Sequence, residues 1–127
     1  MAKQTGAFEI ALIGDAVATL VAEELNPEGV PLIIKQATLM IDTRASAAGG
    51  ETLAIGTGAA GAGNNNIVAA QALSGAVEGN AYSLLEPNAG GALPLCTPVQ
   101  VINATTSAAA PAFRGRLFVE YYRIDAE

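Results

Sequence analysis

The run Arg116-Leu-Phe-Val-Glu-Tyr-Tyr-Arg-Ile124 decides the fold class. It is aromatic and β-branched, the composition that suits a pleated, half-buried surface. Period two puts Leu117, Val119 and Tyr121 on one face and Phe118, Glu120 and Tyr122 on the other. Apolar groups therefore stand on both faces of a strand spanning 113–124. One face can line a core while the other meets a neighbouring chain, which makes Phe118, Tyr122 and Ile124 candidate contact residues. The alternative is that both faces are buried inside one sandwich.

The same period recurs upstream. In Leu32–Asp42, Ile33, Ala37, Leu39 and Ile41 fall on one face and Gln36, Thr38 and Asp42 on the other, with Ile34 and Met40 as exceptions. Ala47–Gly50 reads as a turn and Thr52–Ile55 as the antiparallel partner of 32–42. Phe8, Ile10 and Leu12 alternate with Glu9 and Ala11, which predicts a first strand with Phe8 as a further candidate contact. Residues 17–23 suit a strand or a short helix. Asn26-Pro27-Glu28-Gly29 has the residues of a type I turn. Residues 56–66 are rich in Gly and Asn and read as a long loop. Ile67–Leu73 suits one or two helical turns, and 74–79 is loop-like. Tyr82–Leu85 suits a short strand, 87–91 and 107–111 suit turns, and 95–105 reads as a strand around Val99, Val101 and Asn103. Pro94 and Pro98 place its start at an edge.

The pattern is all-β: a single-domain β-sandwich or jelly-roll-like fold of about seven or eight strands, with long Gly/Ala/Asn-rich loops and at most one short helix. Residues 1–7 are expected to form a flexible N-terminal arm, with Lys3 and Gln4 as candidate partner contacts, and 8–127 the sandwich.

Composition narrows the function. The chain has 127 residues, 51% of them hydrophobic, but only three Phe and three Tyr and no Trp. A thin core of this kind gains stability by self-association, so a homo-oligomer is expected. Net charge is −6 and the six basic residues are scattered, so no patch opposes a phosphate backbone and nucleic acid is not an expected partner. No run approaches the ~18 apolar residues of a membrane helix, and Met1–Gly6 lacks the apolar stretch of a signal peptide.

The chain has no His and one cysteine, Cys96. A Ser or Cys nucleophile would lack its usual base, and a zinc site its usual ligands. No intrachain disulfide can form. Calcium held by Asp15, Asp42 or Asp125 would lack the EF-hand spacing. Gly56-Thr-Gly58-Ala-Ala-Gly61 matches G-x-G-x-x-G, but the Ala-Gly-Asn-Asn-Asn that follows breaks the helix a dinucleotide needs, and Glu78 sits in a loop. Asn103-Ala-Thr105 is a formal glycosylation sequon. Neither an enzyme nor a bound cofactor or metal is expected.

Four stretches carry a resemblance: Val21-Ala-Glu-Glu-Leu-Asn-Pro-Glu-Gly-Val-Pro31; Leu32–Asp42 leading to Gly49-Gly-Glu-Thr-Leu-Ala-Ile-Gly-Thr-Gly58; the Asn-rich loop meeting Ile67-Val-Ala-Ala70; and Gly115-Arg-Leu-Phe-Val-Glu-Tyr-Tyr122. Over about Ala16–Ile124 the chain resembles small virion proteins of tailed bacteriophages, the capsid decoration (cement) proteins and head-fibre bases. The resemblance implies a β-sandwich or jelly roll, usually a homotrimer, made in the host cytoplasm. It would sit on the capsid exterior at three-fold or quasi-three-fold positions, clamping the major capsid protein. It carries over no catalytic residue. The competing reading is a receptor- or glycan-binding module of a tail fibre or baseplate. The missing Trp, and aromatics confined largely to strands, count against that.

Overall fold

The computed structural model describes residues 5–15, 19–43, 51–73, 81–83, 93–108 and 112–124. Nine strands lie among them: β1 (Thr5–Ile13), β2 (Leu20–Leu25), β3 (Leu32–Thr43), β4 (Thr52–Gly58), β5 (Val68–Ala72), β6 (Ala81–Ser83), β7 (Leu95–Cys96), β8 (Val101–Thr106) and β9 (Arg114–Arg123). The described residues contain no helix. Sheet A runs β1-β9-β3-β6, with β7 beside β6 on the same flank of β3; sheet B runs β2-β8-β4-β5. All pairings are antiparallel. The fold is a β-sandwich.

The core lies between the sheets. Sheet A contributes Ile10, Leu12, Leu32, Ile34, Ala37, Leu39, Ile41, Leu117, Val119 and Tyr121, and sheet B contributes Val21, Leu53, Ile55, Ile102 and Ala104. Phe113, just before β9, is the largest fully buried side chain. Each Leu or Ile removed from water in this way contributes about 1.5–3 kcal/mol, so branched aliphatics carry a core with few aromatics.

The alternation expected in β9 is the one observed, with Leu117, Val119 and Tyr121 buried and Phe118 and Tyr122 outward. In β3 the phase differs from the expected one. Leu32 and Ile34 point inward and Ile33 outward, because the register with β9 skips Lys35 between Ile34 and Gln36. This bulge shifts the alternation by one residue, so that Ala37, Leu39 and Ile41 are inward again.

Three other expectations are corrected. Within 67–73, Val68–Ala72 form strand β5 rather than helical turns: β4 offers an unpaired edge, and pairing with it outweighs the helix propensity of an Ala-rich run. β4 does not pair with β3 but crosses to sheet B, between β8 and β5. The strand expected over 95–105 is split into β7 and β8 by a turn at Pro98-Val99, where Pro98 can donate no ladder hydrogen bond.

The segment 17–23, open between strand and helix, is strand from Leu20 onward. Residues 5–7, assigned to the arm 1–7 by sequence, pair in β1 with Glu120–Tyr122. Lys3, Gln4, Glu78, Asp125, the turns at 47–50 and 87–91, and the loop 74–79 lie outside the described residues.

Candidate functional site

One end of the sandwich is built from the turn 26–31, the segment 93–100 and the end of β9. Asn26 organises it. Its Oδ1 accepts hydrogen bonds from the backbone N–H of Glu28 (2.9 Å) and Gly29 (3.1 Å), closing an Asx turn. Gly29 has φ +73°, the left-handed conformation that favours glycine. The two Nδ2 hydrogens of Asn26 are shared among the carbonyls of Val30 (2.8 Å), Cys96 (3.2 Å) and Thr97 (3.2 Å). The backbone N–H of Asn26 donates to Gln100 O at 3.1 Å. A buried side chain so fully used ties two distant segments of chain into one rigid piece. Ile34 N–H donates to Pro94 O and Ile124 N–H to Pro31 O, each at 2.9 Å. Pro27, Pro31, Pro94 and Pro98 stiffen the same end.

A second tie runs from the turn to β9. The Tyr121 hydroxyl donates a short hydrogen bond to Glu28 Oε2, and Arg123 Nε lies 3.6 Å from Glu28 Oε1. Burial, with the Glu28 carboxylate beside it, pushes the Tyr121 hydroxyl up to about 12. Gly6 faces this ring across the β1–β9 ladder, and a Cβ there would lie 2.5 Å from the hydroxyl oxygen.

This rigid end is also apolar on its surface. Eight large hydrophobic residues are exposed among the described residues, and six belong here: Leu25, Leu93, Leu95, Val99, Tyr122 and Ile124. Val99, at the tip of its turn, is 84% exposed, and Leu25 is 58% exposed. Register places Leu95 and Tyr122 on either side of Ile33, on the outer face of sheet A. Lys35 Nζ lies 5.3 Å from the centre of the Tyr122 ring. Large apolar groups gathered on preorganised backbone are the composition of a contact surface.

Of the residues singled out by sequence, Tyr122 and Ile124 stand on this surface. Phe118 lies further along the outer face of sheet A, half-buried under the Arg116 guanidinium, whose carbon is 5.9 Å from the ring centre. Phe8 packs on the core, its ring 5.8 Å from that of Tyr121. Sequence reasoning missed Leu25, Val99 and Asn26 as builders of this apolar end. The available signal was a large apolar residue beside a turn proline, in Leu25-Asn26-Pro27 and Pro98-Val99.

The outer face of sheet B is closed by its own chain. Gly56 and Gly58 have no side chains, and the loop 59–66 lies directly over them: a Cβ at Gly56 would meet the backbone nitrogens of Asn65 and Asn66 at 2.6 Å, and one at Gly58 would meet the Asn64 side chain. Asn66 bonds Thr57 through both ends of its amide, at 2.8 and 2.9 Å. Asn103 sits beneath the loop, donating to Ala62 O and Glu23 Oε2 and accepting from Asn64. Gly61 has φ +76° and its N–H donates to Glu23 Oε2 at 2.6 Å. The three glycines of the G-x-G-x-x-G match thus seat the protein's own loop. Asn103 is 1% exposed, so its sequon presents no accessible acceptor in the folded protein. Cys96 is buried, and burial raises its thiol pKa, which disfavours the reactive thiolate. No group of acidic or Cys side chains suited to a metal ion occurs among the described residues.

The whole sandwich superposes on a chain of the acid-stable capsid structure of Helicobacter pylori bacteriophage KHP30, with a TM-score of 0.63 and 10% identity, covering 100% of this chain and 96% of that one. The fold is one found in phage capsid structures. A chain of the cyanophage Pam1 capsid asymmetric unit matches with a TM-score of 0.54 and 18% identity, over 98% of this chain and 89% of that one. No family model and no curated protein matches the sequence.

Proposed function

We propose that this chain is a structural virion protein that binds the outer surface of a phage capsid as a symmetric oligomer and stabilises the shell. The observation that carries the reading is the rigid apolar end, with Leu25, Val99, Leu95, Tyr122 and Ile124 exposed on backbone cross-tied by Asn26. The fold shared with two phage capsid chains supports it, since this chain spans nearly their whole length. The resemblance of Val21–Asp42 and Gly115–Tyr122 to decoration proteins points the same way. The partner is the major capsid protein, and the role is non-catalytic. A protein that binds only the assembled shell stabilises that state by mass action. An oligomer does so with avidity, because several weak contacts form together.

The test is co-sedimentation of the purified chain with heads and unexpanded proheads of the phage that encodes it, followed by thermal disruption of the loaded particles. The reading predicts saturable binding to heads and a higher disruption temperature. Absence of binding to either particle would sink it.

A further inference from the structure

Four consecutive carbonyls, from Pro94 to Thr97, are each held by a donor from elsewhere in the chain. Pro94 O accepts from the Ile34 N–H in β3, and Cys96 O and Thr97 O accept from Asn26 Nδ2. Antiparallel ladders use alternate residues, so the bond at Pro94 turns the Leu95 carbonyl away from β3. The donor to Leu95 O is the buried Thr57 hydroxyl in β4 of sheet B, at 2.7 Å. This bond joins the two sheets at the residue that carries the exposed Leu95 side chain. The hydroxyl is itself set by the loop over sheet B. Asn66 Nδ2 donates to Thr57 Oγ1 at 2.9 Å, and Asn66 Oδ1 accepts from the Thr57 N–H at 2.8 Å. A hydroxyl has one proton. With Asn66 occupying an acceptor position, that proton is directed to Leu95, and the two bonds in series polarise one another. Asn66 in turn uses the space left by Gly56, where a Cβ would lie 2.6 Å from Asn66 N and Oδ1.

We propose that Thr57 is a positioning residue for the apolar end, through which the loop 59–66 on sheet B holds β7, and with it Leu95, on sheet A. β7 has two residues and pairs with β3 alone among the described strands, a ladder too short to be stable by itself. Loss of the Thr57 hydroxyl, or of the Asn66 amide that aims it, leaves Leu95 O without its donor. β7 then opens more often while the rest of the sandwich stays folded. Neither Thr57 nor Asn66 is among the exposed apolar groups of that end. The loop therefore acts on the contact without touching what binds there. The importance of this placement for binding rests on the capsid role proposed above; the tie between loop and β7 does not.

The chain carries its own reporter. Cys96, the single cysteine, is the other residue of β7 and is fully buried. Its labelling by a pyridyl disulfide in the isolated protein reads how often β7 opens. Thr57→Val keeps the shape and removes the hydroxyl, and should raise the labelling rate ~tenfold. Asn66→Ala should raise it ~threefold or more, and Thr57→Ser, which keeps a hydroxyl, should stay within ~twofold of the native rate. Asn66 lies at the surface, so its variant carries the test if Thr57→Val fails to fold. The increase should not depend on urea below the unfolding transition, the mark of local opening. A native rate in folded Thr57→Val or in Asn66→Ala overturns the proposal. So does a Thr57→Ser chain as fast as Thr57→Val, or an increase that climbs with urea as steeply as global unfolding. Co-sedimentation with heads is read separately. Thr57→Val should bind heads more weakly than Thr57→Ser, and equal binding by the two would overturn the positioning role. A native chain that ignores heads removes the capsid role, and the Cys96 rates then decide the tie alone.

Discussion

The outer face of sheet B and the outer face of sheet A are finished in opposite ways. Over sheet B the chain folds back on itself: Gly56 and Gly58 withdraw their side chains, the loop 59–66 settles onto them, and Asn64, Asn66 and Asn103 exchange hydrogen bonds beneath it. Sheet A has no such cover among the described residues. It presents Phe118, Met40, Ile33 and Tyr122 along β9 and β3, and leads to the apolar end at Leu95 and Ile124. Covering one face costs sequence freedom, since two glycines and three asparagines are committed to it. Leaving the other bare costs solubility unless another molecule arrives. The two surfaces should therefore answer mutation differently: the covered one through stability, the bare one through association.

The largest expected effect breaks the covered face. Gly56→Val places a side chain where the backbone of Asn65 and Asn66 passes, so the loop must lift from the sheet. Urea denaturation should show a loss of about 3 kcal/mol, in the range of overpacked or strained sites. A loss under about 0.5 kcal/mol would mean the loop is not a structural cover. Next comes Asn26→Ala, which strands the carbonyls of Val30, Cys96 and Thr97 and removes the Asx turn. About 2 kcal/mol should be lost, and proteolysis should then begin near 26–31 or 97–100. Native resistance at both places would show that Asn26 is not the tie described.

Smaller and pH-dependent is the Tyr121–Glu28 bond. The Tyr121 hydroxyl is raised to about 12 in the folded protein, above the ordinary tyrosine value of 10.0. A raised folded value means that this contribution is fully present below pH ~10 and is lost as pH climbs toward ~12. Tyr121→Phe should lower stability by about 1 kcal/mol at neutral pH and flatten the alkaline decline. A variant as steep as the native chain above pH ~10 would refute the assignment. Smallest of all is Tyr122→Ser on the bare face, with a stability change within about 0.5 kcal/mol despite the loss of a large aromatic. A greater loss in the isolated chain would show that this face already contributes to the monomer.

Much of the architecture was legible where period and propensity agree. β9 alternates cleanly because no bulge interrupts residues 114–123. β3 misled because one extra residue, Lys35, shifts the phase, and a bulge has no signature beyond the apolar exceptions it leaves, here Ile34. β5 was read as helical because Val-Ala-Ala-Gln-Ala favours a helix in isolation, whereas the free edge of β4 is a long-range fact. The wrong partner for β4 has the same origin: adjacency in sequence suggests a hairpin, and the chain instead changes sheet. At the apolar end, Tyr122 and Ile124 were visible from strand alternation. Leu25 and Val99 were not, because their exposure depends on turns whose packing against each other through Asn26 joins residues about seventy positions apart.

The place of β9 in sheet A has a consequence for synthesis. β9 lies between β1 and β3, so the first and third strands share no neighbour until residues 114–123 have left the ribosome. Of the described strands, only β4 pairs with its immediate successor in the chain, β5. Long-range pairing of this kind is slow to nucleate, and the β1–β9 and β3–β9 ladders wait until β9 has been made. A prematurely terminated chain would lack the strand that joins its two halves of sheet A, and with it Tyr121 and Tyr122. Such a product could form neither the latch to Glu28 nor the apolar end. The topology thus makes synthesis of β9 a precondition for closing sheet A.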